Sequence, residues 1–150
     1  MDVARRSLMI GLAGTILAAG CEPQRSTPRR VELRVASDGD ELTYKPSHLT
    51  CPTGALVRLS FDHAGEILSA VHDWVLLRPG MRTAFLADAI KPEIDALTLD
   101  RAMVLVATPM CARGQSVTIE FTAPAPGEYP FVCSVAGHGE TMSGILTVTN

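Results

Sequence analysis

SVTIEFTAPAPGEYPFVCSVAGH, residues 116–138, is the stretch from which the rest of the chain is best read. Residues 116–122 alternate polar and apolar side chains without a break, the period of a half-buried strand. APAPG supplies a turn, and EYPFVC (128–133) runs back as a second strand. Beyond that strand come Cys133, His138 and Met142, with four residues in the first gap and three in the second. A packing account does not need a thiol, an imidazole and a thioether within ten residues.

Outward from this pair, the same pattern repeats. VELRVA (31–36) alternates and is broken by SDGD; ELTY and HLTC lead to the turn PTG, and ALVRLSF (55–61) alternates again. DWVLL (73–77) stops at RPG, MVLVAT (103–108) is a continuous β-rich run, and GILTVT (144–149) follows the Cys-His-Met segment. Seven or eight short strands at this spacing predict an all-β fold, an antiparallel sandwich or barrel. Residues 81–100 are the exception. Ala84, Phe85, Ala87, Ala89 and Ile90 form a helix-compatible patch ended by Pro92, which reads as a short helical insertion.

The 150 residues amount to one domain, 47% hydrophobic and 19% charged. Residues 1–20 read as an export signal: Arg5 and Arg6 precede an apolar run too short to cross a bilayer. LAAGC resembles a lipoprotein junction, with Cys21 as the lipidated residue, and ARRSLM loosely resembles a twin-arginine signal. An uncleaved anchor helix is the other reading of this segment. Residues 21–30 are polar and proline-containing, a flexible tether. The domain itself, 31–150, carries eight Lys and Arg against fourteen Asp and Glu, a net −6, which argues against nucleic acid as a partner.

The donor types point to a metal and narrow which one. Thiolate, imidazole and thioether together suit copper, whereas calcium and magnesium require oxygen ligands, and Glu140 alone offers one in this loop. A second histidine must come from elsewhere, and His72 is the best candidate. If the PTG and APAPG turns share one end of the sandwich, strand 55–61 leads toward the other end, where Cys133 lies and where the loop delivers His72. Two histidines, one cysteine and a weak axial methionine form an electron-transfer copper site.

On these residues the chain resembles the azurin and auracyanin branch of the cupredoxin family of blue copper proteins. The Cys133–His138–Met142 spacing matches the azurin ligand loop, HDWVL is similar to HNWVL around the upstream ligand, and SVTIEFTAPAPGEYPFVCSVAGH with MSGILTV follows the family's last two strands. The resemblance covers roughly 31–150. It implies a Greek-key β-sandwich or barrel, one type 1 copper held by His72, Cys133, His138 and Met142, and main-chain N–H groups of Asp73 and Val135 directed at the sulfur. Several positions depart from the family. Asp73 replaces asparagine, and a carboxylate there favours Cu(II). Val71 replaces the glycine before the upstream histidine, Val135-Ala136 replaces Phe-Pro, and Gly139, Glu140 and Thr141 imply a more polar face around His138.

The expected function is single-electron transfer at the bacterial cell envelope, periplasmic or on the outer face. Redox proteins would dock transiently at His138, and the lipid on Cys21 would hold the protein to the membrane. Copper delivery with the same ligands is the alternative; an enzyme using Cys133 and His138 as a nucleophile pair lacks an orienting acid or oxyanion site. Other residues have plainer expectations. Trp74 reads as core, His48 as exposed and His63 as a loop or partly buried residue. Cys51 and Cys111 fall at opposite ends of the sandwich, too far apart for a disulfide, and are expected as free thiols.

Overall fold

The computed structural model describes residues 28–67, 70–89 and 102–150. The expected signal, tether and Cys21 therefore lie outside the described residues, except for 28–30. Eleven strands and one helix follow in chain order: β1 (Arg30–Asp38), β2 (Glu41–Lys45), β3 (His48–Pro52), β4 (Leu56–Asp62), β5 (Val71–His72), β6 (Val75–Leu77), α1 (Arg82–Ala89), β7 (Val104–Ala107), β8 (Cys111–Ala112), β9 (Ser116–Thr122), β10 (Gly127–Val132) and β11 (Ser143–Thr149). One sheet is ordered β2-β1-β4-β9 and the other β3-β11-β10-β6-β7, while β5 and β8 form a separate ribbon. The all-β sandwich expected from the strand spacing is what forms.

The sheets are mixed rather than purely antiparallel. β1 runs parallel to β4, and β3 parallel to β11. The cause is a crossing between sheets: after β2 the chain adds β3 to the second sheet and returns to the first as β4. A strand that re-enters by a crossover, not a hairpin, can arrive beside β1 in the same direction. Alternation gives no hint of this. The eleven strands exceed the seven or eight expected; two of them, β5 and β8, have only two residues each, too few to show a period.

Period-two patterning builds the core. In β4, Val57, Leu59 and Phe61 are fully buried, and the inward series continues past the strand to His63, which is 2% exposed. His63 lies in the loop just after β4, as expected, and is buried rather than partly buried. Trp74 is fully buried, its ring against Phe131 and Phe121 at 5.4 and 6.1 Å. His48 is exposed, as expected.

Three hydrogen bonds join the two turns at one end, and a fourth ties the first turn to the end of β11. Thr53 N–H donates to Thr149 O, Gly54 N–H to Ala123 O, Ala123 N–H to Ala55 O, and the Thr53 hydroxyl to Pro124 O, all at 2.8–3.1 Å. β4 and β10 therefore carry His63 and Cys133 toward the opposite end. Cys51 pairs with Val148 near the turn end, whereas Cys111 pairs with His72. Both thiols are free and buried, as the topology requires.

The helical insertion is α1; its expected continuation through Ile90 and Pro92 lies outside the described residues. A helix of eight residues is marginal by itself. Burial of Phe85 among Val75, Leu77 and Val132 holds it, a contribution of about 1.5–3 kcal/mol.

Candidate metal centre

Three side chains converge at the end opposite the turns. His72 comes from the β5–β8 ribbon, Cys133 from the residue after β10, and His138 from the loop between β10 and β11. Cys133 Sγ lies 3.8 Å from His72 Nδ1 and 3.9 Å from His138 Nδ1, and the two nitrogens are 3.2 Å apart. The product of those sides divided by four times the triangle's area gives a circumscribed radius of about 2.1 Å, within the ~2.0–2.3 Å of first-row metal bonds to nitrogen and sulfur. Three donors around a point at bonding distance from each are arranged for an ion.

The protonation chemistry agrees. His72 is nearly inaccessible, and its pKa is lowered to about 4, first by burial and then by the charges of His63 and His138. His138 is also lowered by burial. Both rings are neutral at pH 7 and present lone pairs. Burial, reinforced by the charge of Asp73, pushes the Cys133 thiol up to about 12 without a metal. Main-chain N–H groups of Asp73 and Val135 act against that rise by donating to the sulfur. A metal displaces the proton outright.

Met142 is fully buried and closes the loop through its main chain. Its N–H donates to His138 O at 2.8 Å, and its carbonyl accepts from Cys133 N–H at 3.0 Å. The loop turns through Gly137, whose φ of 80° favours glycine.

The buried Asp73 carboxylate accepts the Ser134 N–H at 2.7 Å and the Ser134 hydroxyl at 2.5 Å, locking the residue after His72 to the residue after Cys133. Burial raises its pKa, and the Ser134 bonds oppose the rise. The Tyr44 hydroxyl donates to Asp73 O at 2.5 Å, and burial keeps that phenol protonated. Sequence reasoning missed Ser134 and Tyr44. No pattern marks them, since both act through contacts with Asp73, far away in the chain. It also missed how His63 stacks on His72, although the inward series in β4 was a signal for its burial.

His138 is half-buried, the one member of the triad that reaches solvent. A cleft of about 320 Å³ borders it, lined by Leu42, Ile67, Val71 and Val135 with Asp40 at its side. Asp40 shapes one wall by accepting the N–H groups of Glu66 and Ile67 at 2.6 and 3.1 Å. The face is thus divided. Glu140 and Thr141 make one side polar, as expected, while the exposed Leu42, Ile67 and Val71 make the other apolar.

A two-sheet sandwich holding one cysteine and two histidines around a single point at one end defines a mononuclear blue copper protein. The chain belongs to the family described as copper binding proteins, plastocyanin/azurin family, whose sequence model matches residues 31–149. It is 30% identical to Auracyanin-A of Chloroflexus aurantiacus over 122 residues, 79% of this chain and 74% of that protein. With Auracyanin-B of the same organism it shares 35% identity over 136 residues, 87% of this chain but 57% of that protein. The crystal structure of dithionite-reduced auracyanin from Roseiflexus castenholzii superposes with a TM-score of 0.71 at 35% identity, covering 79% of this chain and 97% of that one. Copper is therefore the metal of this site.

Proposed function

We propose that the protein is a one-electron carrier at the bacterial cell envelope, with His72, Cys133, His138 and Met142 holding its copper. Bound copper supplies a one-electron couple between Cu(I) and Cu(II). The observation that carries this reading is the preformed, buried triangle of three donor atoms with one histidine at the surface.

Each residue has a part. His72 and His138 would offer neutral Nδ1 lone pairs, Cys133 its sulfur after losing a proton, and Met142 its thioether as a weaker donor. The N–H groups of Asp73 and Val135 stabilise the thiolate. The Asp73–Ser134 bonds hold two donor-bearing segments in one geometry, so little has to move when the charge changes. The His138 ring conducts the electron to a redox protein docked transiently on the divided face. A buried thiolate releases a metal slowly, which disfavours copper delivery.

Residues 1–20 serve as the export signal, Cys21 as the lipid attachment point and the residues between Cys21 and β1 as the tether. The tether raises the effective concentration near membrane-bound redox proteins.

Addition of Cu(II) to metal-free protein is expected to produce an intense visible thiolate-to-copper band that cycles reversibly with reductant. A colourless product, or a Cys133→Ala variant that keeps the band, would overturn the reading. Mass spectrometry of the mature protein from membranes is expected to find a diacylglyceryl group on Cys21; an unmodified N-terminal segment would remove the anchor.

A further inference from the structure

We propose that Arg82 is a positioning residue for the metal site, clasping the segment between His138 and Met142 to helix α1. The inference rests on the reading that His138 and Met142 hold copper. The loop's own main-chain bonds run from His138 N–H to Val135 O, from Thr141 and Met142 N–H to His138 O, and from Cys133 N–H to Met142 O. Among the described residues none of these uses the carbonyls of Gly139 or Glu140. Both accept from Arg82 Nη2 instead, at 2.9 and 3.0 Å.

The fit at this contact is close. A Cβ on Gly139 would lie 2.4 Å from Leu86 Cδ2 of α1 and 2.7 Å from the Cys133 carbonyl oxygen. The helix therefore lies directly against the loop, with space only for glycine. Beside Leu86, Phe85 packs with Val75, three residues after His72, and with Val132, the residue before Cys133. One short helix thus joins all the segments that carry donors.

Magnitudes identify which Arg82 contact matters. Its ion pair with the Glu140 carboxylate is 3.5 Å long, and the Glu140 side chain is 70% exposed. Such a pair contributes little. The two hydrogen bonds from the guanidinium to main-chain carbonyls are charge-assisted and act on the loop backbone itself. Their role is to keep His138 and Met142 fixed while charge on the site changes.

The test begins without metal. In Arg82→Ala, amide hydrogen exchange at Thr141 and Met142 is expected to accelerate on the order of ten-fold, while the β4–β9 ladder is unchanged. Glu140→Gln should leave the loop amides at the wild-type rate, and Arg82→Lys, which keeps the charge without the fork, should fall between. In the copper-loaded protein, electron self-exchange is expected to slow several-fold in Arg82→Ala. Loop amides unaffected by Arg82→Ala, or a Glu140→Gln variant equal to it, would overturn the clasp. Wild-type protein that takes up no copper would overturn the proposed function, and the metal-free exchange would still decide on the clasp. Should Arg82→Ala not fold, Arg82→Lys carries the same comparison at reduced amplitude.

Discussion

The imidazole of His63 stacks on that of His72, with centroids 4.6 Å apart and planes 30° from parallel. His63 Nδ1 accepts the Gly65 N–H at 3.2 Å, which places the ring proton on Nε2, a buried donor with no partner among the described residues. Burial of His72, first among the causes that lower its pKa, sets the pH behaviour of the metal-free protein.

His72 has a folded-state pKa of about 4, against 6.5 for an ordinary imidazole. Between those values the unfolded chain binds more protons than the folded one, so stability rises with pH across that window. The contribution is complete above pH 6.5 and is lost as pH falls toward 4. Urea midpoints of metal-free protein are expected to drop over this range and to flatten in His72→Leu. An equal drop in that variant would assign the acid sensitivity elsewhere.

Copper uptake should carry a one-proton signature. Above pH 7 both histidine ligands are already neutral, whereas the Cys133 thiol, at about 12, is protonated. The apparent affinity is expected to rise about ten-fold per pH unit between pH 7 and 9, in competition titrations with a chelator whose own protonation is known. A slope of two protons would mean that a histidine is charged in the metal-free site.

Asp73 places a carboxylate beside the thiolate, and Ser134 satisfies both its oxygens. Asp73→Asn keeps an acceptor for the Ser134 N–H but removes the charge. The reduction potential is expected to rise by on the order of 50–150 mV, the scale of one charge a few ångströms away at an effective dielectric of ~20. Voltammetry showing no change, with the visible band retained, would mean that Asp73 carries no charge in the copper form.

Gly139→Ala places a methyl group where α1 and the Cys133 carbonyl already meet. Leu86 is flexible and can move; the carbonyl cannot move without Cys133. Thermal unfolding of the metal-free variant is expected to show a loss of about 1–3 kcal/mol. An unchanged Tm would mean that the loop shifts freely.

Neither Cys51 nor Cys111 should react in the folded state. Each is buried, and burial raises each thiol's pKa. Thiol labelling followed by mass spectrometry is expected to modify both only after unfolding, and non-reducing digests should contain no bridge between them. A 51–111 bridge would contradict the pairing of Cys51 with Val148 and of Cys111 with His72.

Much of this was legible in the chain because it depended on local pattern. Alternation in residues 55–61 and 116–122 marked two strands, and the spacing of Cys133, His138 and Met142 marked the loop. His72 could be added because strand direction followed from the turns. What escaped depended on contacts between distant segments. The parallel pairing of β1 with β4 arises from a crossing of the chain that no period records. Arg82, Ser134 and Tyr44 are ordinary residues until the fold sets them against Gly139, Glu140 and Asp73. Glu140 and Thr141 described one edge of the His138 face correctly, but Leu42, Ile67 and Val71 come from other segments, and the apolar edge was not visible from the loop.

That division of the face has a consequence for ionic strength. Contacts along the Glu140 side would be screened by physiological salt over about 8 Å, while burial of Leu42, Ile67 and Val71 would be nearly indifferent to it. Salt would then govern how often a partner arrives in the right orientation, and the greasy edge how long it stays.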